Sequence, residues 1–340
     1  MPERELPLVT FYLTERCNSR CVTCDWWRHG RRDASLASVL HVLPDLRRLR
    51  TRVALLSGGE PLLNPEWQAI AQALRDAGIG VWLLTAGLSL AKFASAAVRV
   101  FDSITVSMDG TNAATYRRIR GLDAFDKVCE GVRSAVAQGA AVSLRVTLQQ
   151  SNYRELPEFV SLARALGVRQ VSFLPVDIGN PHAFARSEAP ALPLALDAAD
   201  LPRFAELIDA LARDRAADFD SGFIAESPDK LRRMHQYFAA LNGLGPFPAV
   251  HCNAPEFSAV VGADARVAPC FFIPGTGVST FGGLEAALDD REMAALRAEI
   301  RAGRRAECTR CVCSMWRDPA TFATERFLLP QVQDENRQHA

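Results

Sequence analysis

The chain reads as an α/β protein: successive parallel β/α units, then a smaller cysteine-rich module. Two observations predict this. Short apolar, β-prone runs alternate with amphipathic stretches of helical period through the first half. Beyond the Gly- and Pro-rich run GLGPFP at 243–248 the alternation stops and cysteines accumulate. Short strands separated by helices pair in parallel through right-handed crossovers, so six such units form an open sheet or a partly closed barrel. The expected division is residues 1–242 for these units and following helices, 243–320 for the cysteine-rich module, and 321–340 for a tail.

Each element has a local reason. Residues 8–13 are a short apolar run that ends at a cysteine-rich turn. Residues 33–50 have helical period, with Asp33 and Ser35 as caps and a bend or restart at Pro44. Residues 53–57 are a buried-type strand, and Asn64 and Pro65 then open an amphipathic helix that stops before Gly78. A third strand at 81–85 leads into a helix over 89–99. The fourth strand, 104–108, is followed by a loop and a helix over 125–138 that Gly139 stops. The fifth covers 142–147 with a helix over 153–166, and the sixth covers 170–174. Residues 177–194, with Pro181, Pro190 and Pro193, read as a surface-crossing loop. Helices follow over 201–216 and 228–241; later, 262–270 reads as a hairpin that delivers Cys270, and 284–301 as a helix. No internal repeat or low-complexity tract is present.

At 340 residues the chain can bury a full core, and its 49% apolar and 23% charged content is that of an ordinary globular protein. The 39 basic and 39 acidic residues balance, so no overall field favours nucleic acid or an anionic membrane as partner. The N-terminal run lacks the apolar core of a signal peptide, and no apolar stretch reaches transmembrane length. The expected location is the cytoplasm, where thiols stay reduced. Nine cysteines there read as metal ligands or redox groups before disulfides.

Cys17, Cys21 and Cys24 follow the first strand with C-x3-C-x2-C spacing. Four thiolates close a zinc or iron–sulfur site; three leave one metal corner open to a small molecule. The alternatives are a structural zinc knuckle or cysteines buried as small apolar side chains, although zinc sites usually present C-x2-C pairs at two knuckles. Ligands of parallel α/β units bind at the C-terminal strand ends. That edge carries this triple, Ser57-Gly58-Gly59-Glu60, Thr85, Ser107-Met108-Asp109-Gly110 and the residues after Arg145. A second group comprises Cys252, Cys270, Cys308, Cys311 and Cys313, four of which suffice for a closed tetrathiolate site. Zinc and a second iron–sulfur cluster fit that pattern equally. Cys129, on the apolar face of a helix, reads as core.

Cys17-x3-Cys21-x2-Cys24 after one strand and Ser57-Gly58-Gly59-Glu60-Pro61 after the next resemble the radical S-adenosylmethionine (SAM) superfamily. The Ser107-Met108-Asp109-Gly110 turn and the late cysteines are similar to members with a C-terminal SPASM or twitch domain, and the likeness spans roughly residues 8–316. The resemblance implies a partial (β/α)6 TIM-like barrel with a small auxiliary-cluster domain. It also implies a 4Fe–4S cluster whose open iron binds the amine and carboxylate of SAM. Cleavage by an electron then yields a 5′-deoxyadenosyl radical that takes hydrogen from a substrate. By motif position, Cys17, Cys21 and Cys24 are the implied ligands; Gly58, Gly59 and Glu60 hold the SAM amine, Ser107 and Asp109 the ribose, and Arg145 the carboxylate. The simpler alternatives are turn residues at Ser107 and Asp109 and a surface charge at Arg145.

The likeness has departures. The family usually places an aromatic residue before the third cysteine, against adenine; here it is Thr23, with Trp26 or Trp27 as replacements. The late cysteines suit one auxiliary 4Fe–4S cluster: Cys252, Cys270, Cys308 and either Cys311 or Cys313, the spare thiol being an open-site ligand, a hydrogen donor or a bystander. The implied partners are a small-molecule substrate and an external electron donor such as flavodoxin or ferredoxin. The expected reaction is oxidation or epimerisation of a small polar metabolite such as a sugar or cyclitol, in specialised metabolism. A maturase of ribosomally made peptides is the alternative, weakened because few residues precede the first strand. A non-catalytic zinc- or cluster-binding interaction protein is the alternative of another class. Asp177, His182 and Glu256 are polar candidates near the barrel mouth, read first as solvated loop residues.

Overall fold

A computed structural model describes residues 4–186, 193–322 and 324. Six parallel strands run in chain order: β1 (Leu8–Thr14), β2 (Val53–Gly58), β3 (Gly80–Thr85), β4 (Ser103–Ser107), β5 (Val142–Leu148) and β6 (Gln170–Pro175). Between and after them lie α1 (Trp26–His29), α2 (Leu36–Arg48), α3 (Trp67–Asp76), α4 (Leu90–Val100), α5 (Ala113–Arg120), α6 (Phe125–Ala137) and α7 (Leu156–Ala165). Then come α8 (Leu201–Asp214), α9 (Ala216–Asp220) and α10 (Pro228–Leu241). The late segment adds α11 (Ala254–Phe257), β7 (Ser258–Val261), β8 (Val267–Ala268), α12 (Leu284–Asp289), α13 (Arg291–Arg301) and α14 (Ala306–Thr309).

The sheet order is β6-β5-β4-β3-β2-β1-β7-β8, so the barrel is partial and its sheet is not closed. Strand alternation decides what each face carries. On β5, Val142, Leu144, Val146 and Leu148 are buried beneath helices, while Ser143, Arg145 and Thr147 line a central cavity. On β3 the same alternation buries Val81 and Leu83 and turns Trp82 and Leu84 inward. The apolar core therefore lies between sheet and helices, and the concave face lines a cavity of about 1820 Å³ with both polar and apolar walls.

The six strands and most helices lie where the sequence pattern puts them. Ser35 caps α2 by accepting from the Ser38 N–H at 3.1 Å, and Pro44 sits inside this helix without ending it. Three differences stand out. Residues 113–120, read as loop, form α5: Asn112 accepts from the Thr115 N–H at 3.0 Å, and Gly121 ends the helix at φ +73°. The helix read over 284–301 is two, restarted by Asp290, which accepts from Glu292 and Met293 N–H groups at 2.9 and 3.2 Å. The hairpin strand β7 joins the barrel sheet, parallel to β1. Among the described residues no helix is long and apolar enough to cross a membrane. Most of the expected tail at 321–340 lies outside the described residues.

Asn64 joins three segments at the C-terminal edge. Its buried amide donates to the carbonyls of Leu13 at 2.6 Å and Ala34 at 2.8 Å, and its Oδ1 accepts from the Glu66 N–H at 2.7 Å. Asn64→Ala removes both side-chain donations, leaving Ala34 O without this partner while Leu13 O keeps the Ala34 N–H at 2.9 Å, and is expected to cost about 1–3 kcal/mol. Urea unfolding should show a lower midpoint at unchanged slope.

Candidate functional site

The three early cysteines sit on the loop after β1, which has little regular structure and takes its shape from neighbours. Gly59 N–H donates to Thr14 O and Glu60 N–H to Arg16 O, both at 2.8 Å. Arg20 and Val22 N–H groups donate to the carbonyls of Arg120 and Ile119, both at 3.0 Å. Asp25 N–H donates to Phe184 O at 2.9 Å, and the Arg186 guanidinium donates twice to Thr23 O at 3.1 and 3.2 Å. Phe184 and Ala185 hold positive φ, 60° and 55°, a strained pair kept in place by these contacts.

This loop brings Cys17, Cys21 and Cys24 to the wall of the central cavity. Burial raises all three thiol pKa values, that of Cys17 to about 11. Raised thiol pKa values favour the protonated form, so metal binding here is coupled to proton release. Among the described residues no three Cys, His, Asp or Glu side chains close around a single metal ion. Tyr12 and Trp26 pack edge to face at 5.4 Å and line the cavity beside Thr23, whereas Trp27 turns away and donates to Cys21 O at 3.4 Å.

The Gly-Gly-Glu turn follows β2. A Cβ on Gly58, whose φ is +111°, would lie 2.5 Å from Thr14 O; one on Gly59 would lie 2.1 Å from Arg16 O. Both glycines are thus demanded by the cysteine loop pressed against them, and both line the cavity. Glu60 is placed otherwise than expected. Its side chain is 0% exposed and is not part of the cavity wall. Its carboxylate accepts from Thr85 Oγ1 at 2.8 Å, Ala86 N–H at 2.7 Å and Leu62 N–H at 3.1 Å. Burial pushes its pKa up, and those donors oppose the shift. Glu60 fixes the turn from beneath, leaving the Gly58 and Gly59 backbone facing the cavity.

Ser107 ends β4 on the cavity side. Asp109 also reaches the wall, but both carboxylate oxygens are engaged by the protein: Oδ2 by Arg120 Nη1 at 3.0 Å and Oδ1 by Thr147 N–H at 2.8 Å. Arg145 points inward from β5 rather than to the surface, and its buried Nε has no partner among the described residues. Sequence reasoning missed Arg120, which the buried helix end brings to the cavity wall, and Glu226. Glu226 accepts from Phe173 N–H at 2.7 Å, and burial raises its pKa against the nearby charges of Arg145 and Lys230.

The five late cysteines form a second neighbourhood. Cys270 has its pKa pushed up to about 12, chiefly by burial, with Cys252 and Cys308 adding to the shift. Cys311 is raised in the same way, with Cys313, Cys252 and Cys270 close by. Asn253 clamps this region, accepting from Arg317 N–H at 2.8 Å and donating through Nδ2 to Arg317 O at 2.7 Å. Cys313 lines the central cavity, near Arg145 and Glu226; Cys311 faces a separate groove of about 610 Å³. Asp177 is buried and accepts from the Gly179 and Asn180 N–H groups at 2.9 and 3.1 Å, so it is no solvated loop residue. His182 is exposed along the groove, and Glu256 is paired with Arg301 at 2.8 Å, outside the cavity wall.

These residues fit an iron–sulfur cluster with SAM. Three protonated thiols, glycine backbone and an unpartnered buried guanidinium nitrogen share one cavity.

Residues 11–163 match the family model described as the radical SAM superfamily. The chain is 35% identical over 172 residues to pre-heme d1 synthase of Dinoroseobacter shibae, covering 48% of this chain and 41% of that protein. It is 30% identical over 185 residues to a probable GTP 3′,8-cyclase of Saccharolobus islandicus, covering 52% and 60%. The chain thus spans less than two thirds of the length of these curated relatives. Among solved structures, SuiB of Streptococcus suis bound to S-adenosylmethionine superposes with a TM-score of 0.65 at 13% identity, over 92% of this chain and 73% of that one. Native anSMEcpe with bound AdoMet gives 0.62 at 16% identity, over 94% and 92%. These likenesses show the shared fold. The match identifies residues 11–163 of the chain as a radical SAM domain.

Proposed function

We propose that this chain is a radical SAM enzyme acting on a small polar metabolite, with an auxiliary cluster in its late segment. The observation that carries the reading is the convergence of Cys17, Cys21, Cys24, Gly58, Gly59 and Arg145 on one cavity. Bound at the three thiolates, a 4Fe–4S cluster with SAM supplies, on receiving an electron from a donor such as flavodoxin or ferredoxin, a 5′-deoxyadenosyl radical. The protein's own residues bind and orient. Backbone carbonyls at Gly58 and Gly59 accept from the SAM ammonium, a task that Glu60 supports from beneath. Arg145 takes the carboxylate through its unpartnered nitrogen. The Ser107 hydroxyl meets the ribose, and Tyr12 and Trp26 exclude water from the thiol loop.

The inward Ser143, Ser172, Thr105 and Glu226 support a hydroxyl-rich substrate that is oxidised or epimerised. The cavity exceeds the usual range for one ligand, which leaves room for cofactor and substrate together. The same volume favours, as the second reading, a peptide segment as substrate. Two proteins of the same fold have been seen with such partners: SuiB bound to precursor peptide SuiA, and anSMEcpe with Cp18Cys peptide. The groove-facing position of Cys311 supports Cys252, Cys270, Cys308 and Cys311 as auxiliary ligands, with residues 243–320 as their module and Cys313 left facing substrate.

Anaerobic reconstitution of the full chain should give roughly eight iron and eight sulfide per chain, as two 4Fe–4S clusters require, with reductive SAM cleavage. Stable zinc without cleavage would overturn the enzyme reading. Cys24→Ala should abolish SAM cleavage and leave roughly four iron bound at the late cysteines. Arg145→Leu should weaken SAM binding by about tenfold or more in equilibrium dialysis, since a charge-assisted contact is lost. Cys311→Ala should lower iron by roughly four per chain while Cys313→Ala should not; equal losses would assign the fourth ligand to neither thiol alone.

A further inference from the structure

Arg120 has a position that SAM binding does not explain. It is the last residue of α5, and only 9% of it is exposed. Nη1 donates to Asp109 Oδ2 at 3.0 Å, and Nε is buried without a partner among the described residues. The turn that carries it is fastened to the cysteine loop, because Arg120 O and Ile119 O accept from Arg20 and Val22 N–H groups at 3.0 Å each. Gly121 permits this approach: at φ +73°, a Cβ there would stand 2.3 Å from Arg20 O. The guanidinium shares the cavity wall with Cys17, Cys21 and Cys24, and its charge opposes the effect of burial at each of the three thiols.

A guanidinium is expensive to bury, and one carboxylate offsets it here. Asp109 is held by Arg120 on one oxygen and by Thr147 N–H on the other. A cluster on three thiolates is anionic, and reduction adds one more negative charge. In a medium of low dielectric a nearby fixed cation favours the reduced form, and a nearby fixed anion opposes it. The guanidinium is also always charged, so this influence does not switch off with pH.

We propose that the Arg120–Asp109 ion pair sets the reduction potential of the cluster at Cys17, Cys21 and Cys24, with Arg120 raising it and Asp109 restraining that rise. The inference rests on the cluster reading above. Arg120 is in this role a positioning residue for charge and takes no part in bond making.

The test is an anaerobic redox titration of reconstituted full-length protein without SAM, followed by electron paramagnetic resonance. The relevant couple is the one whose signal changes when SAM is then added. Arg120→Gln should shift the reduction equilibrium about tenfold toward the oxidised form, ~59 mV for one electron, and Asp109→Asn should shift it the opposite way. Arg120→Lys should restore most of the wild-type potential, and a couple belonging to the late cysteines should not move. Unmoved potentials in Arg120→Gln and Asp109→Asn, or shifts of the same sign in both, overturn the inference and leave the pair a packing device. Should Arg120→Gln fail to fold, Asp109→Asn alone decides: a raised potential supports the inference and an unchanged one overturns it. Wild-type protein that takes up no iron overturns the cluster reading itself, whereas iron-loaded protein with unmoved potentials overturns only this inference.

Discussion

Backbone pressed directly on backbone around residues 15–25 is the constraint on which the site depends. The loop between β1 and α1 cannot satisfy its own polar groups, and leaving them unmatched inside the protein would cost heavily. It borrows partners from the turn after β2, from the end of α5 and from the strained residues before Arg186. Two of those partners must be glycine, because a methyl group at Gly59 or Gly121 would overlap a loop carbonyl. The three thiols are therefore held in place by their neighbours' missing side chains. A loop anchored at three points holds its shape before any metal arrives, which lowers the ordering cost of binding.

The cavity depends on a second constraint, the alternation of side chains along parallel strands. Helices cover one face and demand apolar residues there; the other face is free to be polar. Ser143, Arg145 and Thr147 use that freedom in a single strand whose intervening residues are all core. The buried Glu60 shows the limit of the arrangement. A carboxylate beneath the floor is tolerable because Thr85 and two backbone N–H groups surround it. Such an arrangement makes the turn rigid and leaves the carboxylate no free oxygen for a ligand.

Much of this is legible in the sequence itself. Six strands announced themselves as short apolar runs, and the cysteine spacing with Gly58-Gly59-Glu60 pointed to one edge of the sheet. What escaped has physical reasons. α5 was hidden because it is only eight residues long and three of them are arginines, so it reads as a charged loop; its signals were the Asn112 cap and Gly121. Arg120 was hidden with it, since nothing local marks a charge that will be buried. The orientation of Glu60 depends on Thr85, 25 residues away, and no spacing rule encodes that. Cys311 and Cys313 are separated by one residue on irregular backbone, where chain direction alone decides which thiol meets the cavity. Parallel pairing of β7 with β1 joins strands far apart in the chain and leaves no local trace at all.

That last pairing bears on how the protein is made. β1 lies between β2 and β7, and its partner on one side is not synthesised until residues 258–261 emerge. Until then the first strand presents an open row of N–H and C=O groups, the kind of edge that invites pairing with another chain. Domains generally fold as units in the order they leave the ribosome, and late-arriving contacts slow that process. For most of translation the nascent barrel is thus a template with one side bare, beside the loop that carries its metal-binding thiols. Closure of that edge comes from the stretch between Cys252 and Cys270, so the edge is covered before Cys270, Cys308, Cys311 and Cys313 have emerged.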